Sequence, residues 1–327
     1  MTGRARPGHG RVWLVMAGVV VVSVVTVASV GALVSGGSGS SGCPTDHTAP
    51  ARIATYEWRE SAWRSAGARQ ELVRTAQQLC LDRLYVDITA AATATGAARE
   101  LLRSDVAALV ETAREASVEV GAVAGDPWWP SPQGHVDASS VVAFVDELHD
   151  RGAALASLHV DAEPWGLEEW PTMKSELTTA YLEFVEHLEA ERGRRELETP
   201  LVYLIPYWFD GSNGEAPLIS VGGRSAHPFQ HMTDGLRPGA AVAVMAYRNR
   251  ALGEGGIVDL VRQELAQEKV PVIVGVETAP IDPPTATFAG ASLEELHEQL
   301  AVVARQTGTT EIVINDLPNL LRIAAPA

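Results

Sequence analysis

Between Thr45 and Ala327 the chain alternates short β-branched apolar runs with longer amphipathic stretches, and it does so eight times. The runs are Ile53–Tyr56, Leu84–Ile88, Val118–Val123, Ala156–Val160, Leu201–Ile205, Val242–Ala246, Val272–Val276 and Ile312–Ile314. Continuous apolar strands of this kind are buried on both faces, which calls for a parallel sheet covered by helices. The intervening stretches predict helices near 67–80, 98–116, 138–151, 173–192, 227–234, 257–267, 293–307 and 317–323. In the fourth of these, Leu177, Tyr181, Phe184, Val185 and Leu188 recur at three- and four-residue intervals, as one buried face requires. Eight strand–helix units in roughly 280 residues place the chain in the α/β class as a (β/α)8 TIM barrel. An open doubly wound sheet is the alternative. It would want a glycine-rich phosphate turn after the first strand, where this chain has Tyr56-Glu57-Trp58-Arg59.

The first 44 residues stand apart from that pattern. Arg4, Arg6 and Arg11 make residues 1–11 a basic end, and an uncharged run of 23 residues follows from Val12 to Val34. That length spans a bilayer as one helix, whereas the apolar region of a secretory signal peptide is usually about 7–15 residues. A single-pass signal anchor is therefore favoured over a cleaved signal peptide, although Val30-Gly31-Ala32 offers a small-residue cleavage site. In either case the basic end stays inside and the domain at 45–327 lies outside the cytoplasm, membrane-attached or secreted. Residues 35–44 form a Gly/Ser linker.

Cys43 and Cys80 are the only cysteines, and an oxidising compartment permits a disulfide between them. The formal charge is −16; without the three N-terminal arginines, 22 basic residues face 41 acidic ones, giving −19. Such a surface repels nucleic acid and favours neutral or cationic ligands. The expected partners are a polysaccharide or oligosaccharide and, through the N-terminal segment, the membrane. The chain is expected to be a monomer without a cofactor. No nucleotide fingerprint, Gly-x-Ser-x-Gly elbow or early His-x-His is present, so no metal is expected. A mixed cation site at His159, Asp161 and Asp87 stays open as an alternative.

Active sites of such barrels lie at the C-terminal ends of the strands. Acids and aromatics collect there in this chain. Tyr56 and Glu57 follow the first strand, Asp87 ends the second, and Trp128 and Trp129 follow the third. Asp161, Glu163 and Trp165 end the fourth, and Tyr207 and Trp208 follow the fifth. Tyr247 and Arg248 follow the sixth, Glu277 ends the seventh and Asp316 follows the eighth. Two buried strand ends that carry glutamates point to paired-carboxylate chemistry, in which one group protonates a leaving oxygen and the other attacks or activates water. Asp161 and Glu163 share a strand face, so one of the two tends to hold a proton. The tryptophans offer flat faces for sugar rings, with Trp129 or Trp208 the preferred single choice, or else they pack between loops.

Glu163-Pro164 on the fourth strand and Glu277 on the seventh resemble the acid/base and nucleophile of the large retaining clan of (β/α)8 glycoside hydrolases. Tyr247 suits the tyrosine that orients such a nucleophile. That clan places asparagine before its acid/base, and here the residue is Ala162. Asp161-Ala162-Glu163 is also similar to the Asp-x-Glu end of the chitinase-type motif, and Met245-Ala246-Tyr247 resembles that family's Met-x-Tyr. In that family the glutamate is the acid, the aspartate assists it and the substrate's own acetamido group attacks. Ser157, His159 and Arg248 depart from the chitinase pattern. Both resemblances imply an extracytoplasmic glycosidase with Glu163 as proton donor. They differ on whether Glu277 or the substrate is the nucleophile. A carbohydrate-binding barrel without catalysis is the alternative from another class.

Overall fold

Every barrel strand presents one face to the helices and the other to the interior, and the sequence of each strand fits both. The structure is a computed structural model that describes residues 51–325. Its strands are β1 (Arg52–Glu57), β2 (Arg83–Asp87), β3 (Glu119–Ala124), β4 (Leu158–Val160), β5 (Leu201–Pro206), β8 (Ala241–Met245), β9 (Val272–Glu277) and β10 (Glu311–Asn315). They close in the order β1-β10-β9-β8-β5-β4-β3-β2, every neighbouring pair parallel. This is the (β/α)8 barrel expected from the alternation. Two further short strands, β6 (Ile219–Val221) and β7 (Arg224–Ala226), form a small antiparallel hairpin inserted after β5.

The helices are α1 (Ala66–Gln78), α2 (Gly96–Glu115), α3 (Pro132–His149), α4 (Trp170–Arg194), α5 (Pro228–Gly235), α6 (Ile257–Leu260), α7 (Arg262–Ala266), α8 (Leu293–Thr307) and α9 (Leu317–Ala324). Helix α3 begins six residues earlier than its apolar period predicts, because Ser131 accepts a bond from the Gly134 N–H at 3.2 Å with Pro132 in the first turn. The helix expected at 257–267 is instead two short ones, broken where Val261 leaves helical geometry (φ −98°, ψ 6°). The strand expected at 156–160 contracts to Leu158–Val160, although backbone bonds from Ala156 to Val120 and from Asp161 to Ala124 extend its pairing.

Two apolar layers result. The outer one packs Leu84, Val86, Leu158, Val160, Val274 and Val276 against Trp63, Phe144, Tyr181 and Phe184 of the helices. The inner one holds Ala54, Tyr56, Tyr85, Val123, Leu204, Ala243, Ile273 and Val313. Small residues on one side of the barrel make room for the rings of Tyr56, Tyr85 and His159 on the other. At Gly121 a Cβ would collide with the Tyr85 ring. The bottom of the barrel is closed by polar side chains. Arg83 pairs with Glu311 and Glu119, and the Tyr85 hydroxyl donates to Glu311 at 2.6 Å.

Among the described residues no helix is long and apolar enough to cross a membrane. The run at 12–34 expected to act as anchor or signal lies outside the described residues, as do Cys43 and the linker. Cys80 is not a free thiol.

Candidate active site

Strand parity decides which side chains reach the mouth. On β1 the inward residues are Ala54 and Tyr56, and on β2 Tyr85. On β8 they are Ala241 and Ala243, on β9 Ile273 and on β10 Val313. Counting on by twos brings Asp87, Tyr247, Glu277 and Asn315 to the interior face at the C-terminal end. On β4, Leu158 and Val160 face the outer layer, so His159 and Asp161 face inward. Five strands, β2, β4, β8, β9 and β10, thus bring polar groups to a single mouth.

The carboxyl groups at β4 touch. Asp161 and Glu163 are hydrogen-bonded to each other, and the Trp165 side chain also bonds Glu163. Burial raises the Glu163 pKa well above the ordinary glutamate value, and the Asp161 charge raises it further. Burial also pushes Asp161 up, to about 6, with the Asp87 charge adding to the rise and the Glu163 bond opposing it. Of the two, Glu163 is the one favoured to hold the proton and Asp161 the one favoured to carry the charge. The Asp161 Oδ1 is buried and has no hydrogen-bond partner among the described residues. Gly125, at the end of β3, lets that loop press on the Asp161 backbone; a Cβ there would collide with the Asp161 carbonyl.

Glu277 is 4% exposed and fully engaged. Its Oε1 accepts from the Thr278 N–H at 2.7 Å and the Ala279 N–H at 2.6 Å, and its Oε2 accepts from Asn315 Nδ2 at 2.8 Å. Burial nonetheless pushes its pKa to about 7, against the pull of those bonds. The Glu277 charge acts on both Glu163 and Tyr247, which puts all three at one mouth. Asn315, expected at the mouth after the eighth strand but with no role assigned, is the hub: it binds Glu277, accepts from Trp58 Nε1 at 2.9 Å and bonds Tyr247. Its parity with Val313 was the available signal. The floor is tightly packed. A cavity of about 10 Å³, lined by Tyr56, Met245, Tyr247 and Asn315 among others, has room for about one water.

Several expected contacts fall elsewhere. Glu57, next to inward-facing Tyr56, points to the opposite face, is 0% exposed and is clamped by the Arg59 guanidinium at 2.7 and 2.8 Å. It holds the first loop instead of facing a ligand. Tyr56 lies below the mouth, its hydroxyl 2.8 Å from His159 Nδ1. Burial holds that histidine's pKa well below its ordinary value, with the Arg83 charge adding to the effect. Asp316 caps α9, accepting from the Asn319 N–H at 3.0 Å and its Nδ2 at 2.6 Å.

The Trp128–Trp129 pair divides: Trp128 is 55% exposed, while Trp129 is 4% exposed and packs on Phe184 in the core. Trp129 is therefore not a stacking surface, because the turn into α3 folds its ring inward. Trp165 and Trp208 meet edge-to-face at 6.0 Å in a cluster with Trp170, Phe209 and Tyr181. That cluster braces the loop that carries Glu163. Asp87 accepts from the Thr89 N–H at 2.8 Å. Arg248 lies over the Tyr207 ring, 5.2 Å from its centroid. Among the described residues no group of three or more His, Cys, Asp or Glu side chains has the spacing to hold a metal ion. His159, Asp161 and Asp87 therefore do not form the mixed cation site left open above.

No protein-family model matches the chain, and no curated protein sequence does. Among solved structures, it is similar to a family GH18 chitinase from Cycas revoluta in complex with allosamidin. The TM-score is 0.51 at 12% identity, covering 84% of this chain and 97% of that one. A second structure of a GH18 chitinase from Cycas revoluta, in complex with (GlcNAc)3, gives a TM-score of 0.50 at 13% identity, with coverages of 84% and 97%. The chain thus shares with those structures the fold of a closed, eight-stranded (β/α)8 barrel.

Proposed function

We propose that this protein is a chitinase-like glycoside hydrolase acting on a glycan that contains N-acetylated amino sugars. The observation that carries this reading is the Asp161–Glu163 pair: two buried carboxyl groups bonded to each other, with the Glu163 pKa raised well above its ordinary value and an Asp161 Oδ1 that has no hydrogen-bond partner among the described residues. A buried acceptor left unmatched calls for a donor from the ligand. The N–H of a 2-acetamido group is such a donor, and its carbonyl oxygen is then turned toward the anomeric carbon. In the proposed reaction Glu163 gives its proton to the leaving glycosidic oxygen and the acetamido oxygen attacks. Asp161 orients that group and balances the positive charge developing on it. Water then opens the cyclic intermediate, and Glu163 recovers a proton from it. Tyr247, fixed by Asn315, lines the opposite wall of the same site.

A second reading assigns the attack to Glu277, and the electrostatic coupling between Glu277 and Glu163 supports it. Against it, three donors already occupy Glu277, and its raised pKa leaves it partly protonated at neutral pH. Paired N-acetylglucosaminide and glucoside substrates separate the two. Substrate assistance predicts turnover only of the acetamido sugar, with a modest loss in Glu277→Gln. Equal turnover of both sugars, abolished by Glu277→Gln, would establish the two-glutamate route. The basic end and apolar run at residues 1–34 support a site of action outside the cytoplasm, on envelope or extracellular glycan.

A further inference from the structure

Arg248 sits on the rim between the ends of β5 and β8, which are neighbours in the barrel. It directly follows Tyr247, whose hydroxyl is bonded to Asn315. Its guanidinium lies over the Tyr207 ring at 5.2 Å, and its Nη1 donates to the Tyr247 carbonyl at 2.6 Å. A longer contact of 3.5 Å runs from Nη2 to the Tyr207 hydroxyl. The side chain is half-buried and held in place from two sides. Yet among the described residues it makes no ion pair, although Asp161, Glu163 and Glu277 belong to the same mouth. Those acids are engaged with one another or with neutral donors.

A planar guanidinium that is already oriented, with N–H groups left over and no acid beside it, is built for a carboxylate. We infer that Arg248 binds a carboxylate on the glycan, so that the preferred substrate is an amino-sugar polymer whose neighbouring units carry acid groups. This rests on the glycosidase reading above and names its substrate class. The chain's formal charge of −16 opposes a polyanion at long range. Physiological salt screens that repulsion beyond roughly 8 Å, so the short-range contact decides. Two sources supply the same chemistry: a uronic acid in the chain, or a carboxyl-bearing ether on the amino sugar itself.

The test uses the full chain carrying Glu163→Gln, so that ligand is bound without turnover, with and without Arg248→Ala. Calorimetric titration compares one neutral ligand and two pairs of acidic and reduced ligands. One is a neutral N-acetylglucosamine tetrasaccharide, measured in both proteins. The second is an alternating N-acetylglucosamine–glucuronate oligosaccharide beside its carboxyl-reduced form. The third is an amino-sugar oligosaccharide bearing lactyl ethers, also beside its reduced form. The expected result is that one acidic glycan binds about 10–100-fold more tightly than its reduced counterpart, and that Arg248→Ala removes this preference. Arg248→Lys should restore part of it, and neutral binding should be unchanged in all variants. If the acidic and reduced glycans bind alike, or Arg248→Ala weakens both equally, the carboxylate assignment is overturned while the glycosidase reading stands. If no glycan binds at all, both are overturned.

Discussion

At the residue scale the account rests on two carboxyl groups that cannot both ionise. Catalysis as proposed needs Asp161 charged and Glu163 protonated. Asp161 is pushed to about 6, so activity should fall as pH drops through that value. Glu163 is raised well above its ordinary value, so the alkaline loss should come only when pH exceeds that raised value. Asp161→Asn removes the charge that helps keep Glu163 protonated. Its pH profile should lose the acidic limb, its alkaline limb should move to lower pH, and kcat should fall roughly 100-fold or more. An unchanged profile in that variant would mean that the pair does not act as a unit. Asp161 and Glu163 were legible because both end an apolar run with two-residue spacing. Glu57 was misplaced for the same reason read the other way: adjacent to inward Tyr56, it had to face outward. Trp129 could not be told from Trp128 by sequence, because only the turn into α3 decides which ring is buried.

At the element scale, strands were legible and loops less so. Apolar β-branched runs fix the strands to within a residue or two; the largest shift is at the start of β4, which begins at Leu158 although Ala156 already bonds Val120. The β6–β7 hairpin carried a readable signal, Gly222-Gly223 between Val221 and Arg224, both glycines with positive φ. Its strands are too short for periodicity to mark them. Helix α8 begins with a reciprocal cap, Ser292 Oγ accepting from the Glu295 N–H at 3.2 Å and Glu295 accepting from the Ser292 N–H at 2.7 Å. Ser292→Ala should cost about 1 kcal/mol, read from a denaturation midpoint.

Helix α7 carries a stronger effect. Glu264 is 1% exposed, neither of its oxygens meets a partner side chain among the described residues, and burial pushes its pKa to about 8, with the Asp210 charge adding to the rise and its own backbone opposing it. Folding then favours its protonated form, so wild-type stability should decline as pH rises from the ordinary value near 4.5 to about 8. Glu264→Gln cannot ionise. Its stability relative to wild type should grow across that window by on the order of a few kcal/mol and level off above it. A difference that does not vary with pH would show that Glu264 is paired in solution.

At the scale of the whole molecule, the closed barrel makes five strand ends into one site. Arg83 with Glu311 and Glu119 closes the bottom, and the rings of Tyr56, Tyr85 and His159 fill the middle. The polar groups available for chemistry are therefore at the rim, above the floor lined by Tyr247 and Asn315. The closure itself was legible as eight repeats of one pattern. The hub role of Asn315 was not, because it depends on three partners from distant parts of the chain, Trp58, Tyr247 and Glu277.

The most direct measurement is reducing-end release from an N-acetylglucosamine oligosaccharide by the wild-type chain, with calorimetric binding of the same glycan to Glu163→Gln. The account predicts turnover by the wild type, a roughly 100- to 10,000-fold loss in the variant, and binding that survives the substitution. Turnover that persists in Glu163→Gln would contradict it, as would a wild-type chain that binds the glycan tightly and never cleaves it.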